Sequence, residues 1–276
     1  MKRNIHVDFK DDSINIETTH YHNNFEIIFV TKGTSTFLIE NRKIKTQKNS
    51  LVLISNLENH SMTIDQPPYE RYVVSVDNLL KINLLPSEIY IKILQNRPKD
   101  FPYIFEFNNE DAEVIVNILK LLIKEESSKN YSEHLSNLLI NQLLIMVFRS
   151  NPDFFKNTKT EFEKTIYDIQ DYINENYMED INLDSIENKF YINKYEVSRN
   201  FKKITGYNFK TYLILVRLSK AKDLLVNSNL TIAEISDRIG YGSESLFVRM
   251  FKKYENTTPT KYRRSYQIIR IERRLN

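Results

Sequence analysis

The sequence contains no cysteine among its 276 residues. This absence excludes disulfide frameworks, thiolate zinc sites, thiol nucleophiles and methyl-accepting repair chemistry, and it fits a reducing compartment. The sequence also lacks any run of eighteen or more apolar residues. Its first thirteen residues carry charges of both signs in place of a basic stub and an apolar stretch. We therefore expect a cytoplasmic protein without a signal peptide or a membrane span.

Length and charge divide the chain into two parts. A chain of 276 residues with 41% hydrophobic residues suits two domains better than one. Residues 1–160 hold 19 basic and 20 acidic residues, whereas residues 189–276 hold 19 basic and 7 acidic residues, a net charge of +12. This concentration of positive charge suits a polyanionic partner, although a solvated basic face would have the same composition.

The first 150 residues combine strand patterns with two helix patterns. Short β-branched and aromatic runs predict an antiparallel sandwich or small barrel, with strands at 25–31, 36–40, 50–55, 61–64 and 71–76. Two later segments place apolar residues at helical spacing. These residues are Val114, Ile118, Leu121 and Leu122, then Leu135, Leu138, Leu139, Leu143 and Met146. We expect an antiparallel helix pair that either is internal or offers one face to a second subunit.

Residues 151–160 form the expected linker, because they contain Pro152 and no periodic apolar pattern. From residue 161 onward every segment has a helical pattern, with capping residue types at the starts and Gly206 and Gly240 at two of the stops. The sequence thus predicts an α+β protein of two domains, a β-rich domain with helices at 1–150 and an all-α domain at 161–276.

The C-terminal part repeats itself after fifty residues. The aligned pairs are Tyr191 with Tyr241, Arg199 with Arg249, Phe201 with Phe251, Lys202-Lys203 with Lys252-Lys253, and Tyr212 with Tyr262. Such a match indicates one structural unit used twice. In each copy a short helix, a three- or four-residue turn and a second helix predict a helix-turn-helix, at 183–205 and at 231–254.

The second helix of each unit is predicted to separate a buried face from a polar one. The expected buried residues are Val197, Phe201 and Ile204 in the first unit, and Phe247, Met250, Phe251 and Tyr254 in the second. On the opposite faces an arginine can pair with a guanine edge while lysines hold phosphates. The residues predicted to contact DNA are Lys194, Tyr195, Ser198, Arg199, Lys202, Lys203, Ser243, Glu244, Ser245, Arg249, Lys252 and Lys253. A rigid helix at 208–226 would hold the two recognition helices about 34 Å apart, one turn of DNA.

These residues resemble the AraC/XylS family of transcription regulators. The matching positions are 201–206, Tyr212, Arg217, 220–221, 224–225, Ile232, Ile235, 239–241, Ser243, Ser245, Phe247, Arg249, 251–253, 258–259 and 262–263. The resemblance implies a seven-helix DNA-binding domain with tandem helix-turn-helix units, and a protein that usually activates transcription. Asn256 replaces a usual glycine and is expected to take the left-handed conformation. Glu187 and Ser236 replace usual alanines. The serine is tolerable, whereas the glutamate puts the packing of the first unit in question.

Four residues of the N-terminal domain resemble the metal-binding pattern of the cupin barrel: His20, His22, Glu26 and His60. Residues two apart on a strand point to the same side, and imidazole and carboxylate groups suit Fe, Mn, Ni or Zn. In many AraC-type regulators, however, a cupin-like sensor domain uses such positions for a metal-free ligand pocket or for structure. We expect these residues to line an effector pocket without a cofactor, with a divalent metal site or a structural role as alternatives.

The function predicted from the sequence is that of an effector-responsive, sequence-specific transcription activator without enzymatic activity. The expected partners are double-stranded promoter DNA, RNA polymerase, an unidentified small-molecule effector and a second copy of the chain, joined through the helices around 110–149. The alternatives are a metal-dependent cupin enzyme with a DNA-binding appendage and a helical scaffold that binds other proteins.

Overall fold

The structure, a computed structural model, describes residues 4–11, 16–76, 101–128, 131–155 and 161–265. The chain divides into two units, Met1–Thr158 and Lys159–Asn276, which are described separately below. In the predicted linker a short 3-10 helix spans Pro152–Phe155, and residues 156–160 lie outside the described residues. The linker role of 151–160 therefore stays a prediction.

The N-terminal unit contains an antiparallel sheet of seven strands in its described residues. They are β1 (Ile5–Lys10), β2 (Ile16–His20), β3 (Phe25–Ile39), β4 (Arg42–Thr46), β5 (Ser50–Ile54), β6 (His60–Val76) and β7 (Ile104–Glu106). The order is β1-β6-β3-β5-β7, with β2 added to β6 and β4 added to β3. This confirms a β-rich N-terminal domain. A closed barrel stays a prediction, because β1 and β7 lie at the two ends of this order.

Strands β3 and β6 are each continuous where the sequence predicts two short strands. Gly33 and the pair Pro67-Pro68 fall in the gaps between predicted strands, at 32–35 and 65–70, yet they lie inside the β3–β6 pair, where the register shifts between Val30 and Ser35. Gly33 has a φ of +78°, and a Cβ there would lie 2.5 Å from the carbonyl oxygen of Pro68. Irregular register of this kind bends a strand pair without ending it. Consequently β1 and β5 pair with one half of the β3–β6 ribbon, and β2 and β4 pair with the other.

Two helices complete the core of this unit: α1 (Asn109–Glu126) and α2 (Ser132–Ser150). Helix α1 begins at the cap residue Asn108, whose side chain accepts the N–H of Asp111 at 2.8 Å. The buried faces of both helices join the buried strand residues in one hydrophobic cluster. Each large apolar side chain buried there stabilises the fold by about 1.5–3 kcal/mol.

The apolar residues predicted at helical spacing in these two helices are only partly buried. Ile118, Leu122, Leu139 and Leu143 are buried, and Met146 is half-buried. The other four of these residues are exposed: Val114 by 41%, Leu121 by 47%, Leu135 by 42% and Leu138 by 53%. The buried faces instead include Ala112, Ile115, Leu119, Ile140 and Leu144. Both helices are apolar over more than one face, and spacing alone does not select the face that meets the sheet.

The C-terminal unit is helical. Its elements are α3 (Glu161–Asn176), α4 (Leu183–Phe190), α5 (Lys194–Thr205), α6 (Phe209–Asn227), α7 (Ile232–Arg238) and α8 (Glu244–Glu255), and residues 259–265 are helical too. With α1 and α2, the described part of the chain has nine α-helices, whereas the predicted seven referred to the C-terminal domain alone. None of the described helices combines the length and the apolar character needed to cross a membrane.

Candidate nucleic-acid interface and histidine cluster

Each predicted helix-turn-helix is present in the structure, as α4 and α5 and as α7 and α8. The second helix of each unit begins at an equivalent cap, fifty residues apart. Asn193 accepts the N–H of Tyr195 at 2.9 Å, and Ser243 accepts the N–H of Leu246 at 3.2 Å. A side-chain oxygen at this position satisfies an amide that the first turn of a helix leaves unpaired. The hydroxyl of Ser243, predicted to contact DNA, thus accepts a backbone hydrogen bond.

The repeat found in the sequence extends to the packing behind these helices. Val197 and Phe201 of α5 are fully buried, as are Phe247 and Phe251 of α8. The Phe201 ring lies 5.3 Å from the ring of Tyr212, and the Phe251 ring lies 5.5 Å from that of Tyr262, both edge to face. The predicted buried faces are therefore confirmed, with Ile204, Met250 and Tyr254 half-buried at their margins.

The opposite faces of α5 and α8 are exposed, as a DNA-contacting surface requires. The exposed residues of the predicted set are Tyr195, Ser198, Arg199, Lys202, Lys203, Ser243, Glu244, Ser245, Arg249, Lys252 and Lys253. Their contacts with DNA stay predictions. Ser198 and Arg249 also line one cleft of about 740 Å³, together with Lys210 and Arg217 of α6, so residues from both recognition helices border the same cleft.

Lys194 differs from the rest of the predicted set because acidic groups already engage it. Its ammonium group pairs with the carboxylate of Asp184 and lies 4.0 Å from that of Glu187. The hydrogen bond and the charge of Asp184 raise the pKa of Lys194. A phosphate would have to compete with these carboxylates. Glu187 also accepts the backbone N–H of Lys194 at 3.1 Å, so it joins α4 to the first turn of α5 in place of the usual alanine.

Two arginines of the family-like pattern are structural in this fold. Arg217 donates from Nε to the carbonyl oxygen of Tyr177 at 2.7 Å and from Nη2 to that of Glu179 at 2.8 Å. Arg263 donates to the carbonyl oxygens of Leu225 at 3.2 Å and Leu230 at 2.6 Å. Each guanidinium ties a helix to a neighbouring loop. Charge counts do not distinguish these arginines from Arg199 and Arg249, so their structural role was not predictable from the sequence.

In the N-terminal unit the structure brings the four residues of the predicted effector pocket together. His20 ends β2, Glu26 lies in β3 and His60 begins β6, while His22 lies between β2 and β3. The ring of His60 lies 4.2 Å from that of His20 and 4.9 Å from that of His22. The carboxylate of Glu26 lies 3.3 Å from Nε2 of His22 and 3.8 Å from Nε2 of His60.

This environment shifts the pKa values of two of these groups. Burial raises the pKa of Glu26, but the charge and hydrogen bond of His22 and the charges of His60 and His20 outweigh it and bring the pKa to about 2. Burial, and then the charge of His20, lower the pKa of His60 to about 4. The cluster thus combines an ionised carboxylate with a neutral imidazole at neutral pH.

Comparison with known protein families matches both halves of the chain. Residues 9–141 match the family model described as an AraC-like ligand binding domain, and residues 187–265 match a helix-turn-helix domain. The chain is 24% identical over 264 residues to the HTH-type transcriptional regulator YdiP of Escherichia coli K12, covering 94% of this chain and 85% of the relative. It is 28% identical to the lactose operon transcription activator of Staphylococcus xylosus, covering 58% of each chain.

Among solved structures the chain is similar over nearly its whole length to ToxT from Vibrio cholerae. The TM-score is 0.63 at 16% identity, and the match covers 95% of this chain and 97% of ToxT, in a crystal structure that contains a bound unsaturated fatty acid. Identity at this level shows a shared fold. A β-rich domain joined to a helical helix-turn-helix domain is therefore a known arrangement.

Proposed function

Since the chain belongs to the AraC/XylS family of transcription regulators, we propose that it contacts two successive major-groove segments of promoter DNA through α5 and α8. One observation carries this proposal. Two helices of the same build, each capped, buried on one face and exposed on the other, present Arg199 and Arg249 fifty residues apart. A single chain with two such helices can contact adjacent turns of one duplex.

In this proposal the exposed residues have different tasks. Arg199 and Arg249 make paired hydrogen bonds to guanine edges, and Glu244, in the first turn of α8, accepts from cytosine. Lys202, Lys203, Lys252 and Lys253 neutralise phosphates and set the position of the helices. Lys194 contributes less than the other lysines, because Asp184 already pairs with it.

The N-terminal unit is proposed to regulate this binding through a small-molecule effector. The match of residues 9–141 to a ligand-binding family supports this role, and the ToxT structure shows that a protein of this fold accommodates a ligand. The Staphylococcus xylosus relative is named a transcription activator, which supports activation as the role of this chain. In this proposal the chain acts in the cytoplasm and RNA polymerase is its further partner. On this proposal the chain has no catalytic activity, and His20, His22, Glu26 and His60 serve binding.

The exposed apolar residues of α1 and α2 are proposed to join two copies of the chain. Val114, Leu121, Leu135 and Leu138 are each between 41% and 53% exposed, and exposed apolar patches on a regulator commonly mark a protein interface. Leu138→Glu is expected to convert a dimer into a monomer in sedimentation experiments, whereas Lys43→Glu, at an exposed position of β4 away from these two helices in the chain, should leave the dimer intact. A monomeric wild-type protein would contradict this assignment.

The central experiment measures affinity for promoter DNA at several salt concentrations. The logarithm of the binding constant should fall steeply as the logarithm of the salt concentration rises, because each contacted phosphate releases counterions. Arg249→Ala and Arg199→Ala should each weaken binding to the specific site by about 1–3 kcal/mol, roughly 5- to 150-fold. Arg149→Ala removes the same charge from an exposed position in α2 and serves as the control. Unchanged footprints for both recognition-helix variants would refute the assignment.

A further inference from the structure

We propose that the N-terminal unit binds one divalent first-row transition metal ion through His20, His22 and His60, with Glu26 as the fourth ligand. The proposal concerns the same four residues that are assigned to binding above, and it does not depend on how α5 and α8 bind DNA. It rests on the convergence of the three imidazoles, on the orientation of their nitrogens and on the position of the carboxylate.

Three of the five histidines in the chain meet at this one place. They come from two segments, His20 and His22 at the end of β2 and just after it, and His60 at the start of β6. Their ligand nitrogens all lie within 4.8 Å of one another. Metal–nitrogen bonds of about 2.0–2.1 Å place two ligands of a tetrahedral site about 3.4 Å apart. Small side-chain movements would therefore close the three imidazoles around an ion.

Hydrogen bonds fix two of the rings in the orientation that a metal ligand needs. Nδ1 of His22 lies 3.0 Å from the carbonyl oxygen of Asn24, and Nδ1 of His60 lies 2.9 Å from that of Glu58. A carbonyl oxygen only accepts hydrogen bonds, so Nδ1 carries the proton in both rings. In its neutral form a histidine held in this way presents the lone pair of Nε2, and metal-bound histidines in proteins commonly have such a carbonyl partner.

The carboxylate of Glu26 faces those lone pairs. Its oxygens lie 3.3 Å from Nε2 of His22 and 3.8 Å from Nε2 of His60, and the His60 side chain is 4% exposed. When the imidazoles are neutral, the carboxylate and the Nε2 lone pairs are all acceptors, and a proton or a metal ion among them makes the arrangement favourable. A metal ion satisfies all the acceptors at once, whereas a single proton satisfies one pair.

The donor set indicates the class of metal. Imidazole and carboxylate ligands suit Zn²⁺, Fe²⁺, Co²⁺, Ni²⁺ and Mn²⁺, while Ca²⁺ and Mg²⁺ prefer sites made only of oxygen ligands. The chain has no cysteine, so thiolate ligands do not compete for the ion. Co²⁺ is the probe of choice because its visible absorption reports the coordination geometry.

The experiment uses the full chain without a histidine tag, stripped of metal and titrated with Co²⁺, with Zn²⁺ stoichiometry measured by equilibrium dialysis and elemental analysis. We expect one ion per chain, d–d absorption bands of a low-coordinate site, and a melting temperature that rises with metal concentration. His22→Ala and Glu26→Gln should weaken binding at least about tenfold. His134→Ala removes an exposed histidine of α2 and should leave binding unchanged.

Two outcomes would overturn the proposal. The first is a wild-type chain that binds no Co²⁺ or Zn²⁺ at millimolar concentration. The second is unchanged metal binding in His22→Ala and Glu26→Gln variants whose circular dichroism shows that they are folded. If one of these variants does not fold, His20→Ala takes its place, since His20 is only partly buried. The salt-dependent DNA measurement described above is separate, so failure of one proposal is distinguishable from failure of the other.

Discussion

The two helix-turn-helix units share a plan, yet they are stabilised by different interactions. In both, the capped recognition helix contains a buried phenylalanine whose ring meets a tyrosine ring edge to face. Both also end this helix with a left-handed residue, Gly206 with φ +80° in the first unit and Asn256 with φ +54° in the second. The prediction for Asn256 is thus confirmed. A shared scaffold of this kind allows the two helices to be compared residue by residue.

The difference lies in the turns and in the connection to α6. Tyr191 is left-handed and 95% exposed, whereas its equivalent Tyr241 is 6% exposed and the left-handed residue of the second turn is Gly240. The second unit is also linked to α6 by an ion pair of 3.2 Å between Lys222 and Glu255, whose side chains are 10% and 12% exposed. Thr205 occupies the position equivalent to Glu255 in the first unit and hydrogen-bonds locally to Tyr207. The first unit therefore relies more on local polar contacts.

The largest expected effect comes from breaking the Lys222–Glu255 pair. Lys222→Met leaves the Glu255 carboxylate in a mostly buried site without its ammonium partner, which should cost about 3–5 kcal/mol of stability in the C-terminal unit. Hydrogen exchange of the full chain should show faster exchange in α6 and α8 than in α4 and α5.

The double variant Lys222→Met/Glu255→Leu is the control. Replacing both partners with apolar groups of similar size should recover most of the loss, because no charge is then buried alone. An equal loss in the single and double variants would show that the ion pair does not distinguish the two units.

A smaller loss of stability is expected when alanine replaces either of the two glycines that end helices at positive φ. A Cβ at Gly240 would lie 2.5 Å from the carbonyl oxygen of Met178, whereas a Cβ at Gly206 would meet nothing within 4 Å. Gly206→Ala carries only the cost of the left-handed conformation, about 1 kcal/mol, and Gly240→Ala adds a backbone clash for a total of about 2–4 kcal/mol. Thermal unfolding of both variants measures the difference, and equal melting temperatures would contradict it.

The sequence predicted the parts of this comparison that depend on local chemistry. Cap residues such as Asn193 and Ser243, and the buried spacing of Phe247 and Phe251, follow from the short-range hydrogen bonding and periodicity of helices. The burial of Tyr241 and the exposure of Tyr191 were not predictable from their alignment. Each depends on the neighbour that tertiary packing supplies, such as Arg217, whose guanidinium lies 5.4 Å from the Tyr241 ring.

In the N-terminal unit, too, features that depend on tertiary contacts were not predictable from the sequence, and there the contacts join more distant segments. The strand spacing expected for His20, His22 and Glu26 is wrong, because these residues lie at the end of β2, between two strands and in β3. The structure nevertheless brings them together with His60, because β2 and β3 both pair with β6. The sequence predicted breaks at Gly33 and at Pro67-Pro68, because both are turn signals when considered without their partner strand. The exposure of Leu138 likewise depends on which helix face meets the sheet. Local signals identified the residue types, and pairing between distant segments decided their positions.

The smallest expected effect compares the two departures from the family's usual alanine. Glu187→Ala removes the carboxylate that accepts the Lys194 N–H at 3.1 Å, and it should destabilise the start of α5 by about 1 kcal/mol. Ser236→Ala should instead be neutral or stabilising by up to about 1 kcal/mol. The Ser236 side chain is fully buried, and its hydroxyl has no hydrogen-bond partner in the described part of the chain. Amide exchange at residues 194–197 and the melting temperature of each variant measure the two effects. A loss of stability in Glu187→Ala and a gain in Ser236→Ala would show that Glu187 positions the recognition helix of the first unit, whereas the second unit merely tolerates Ser236.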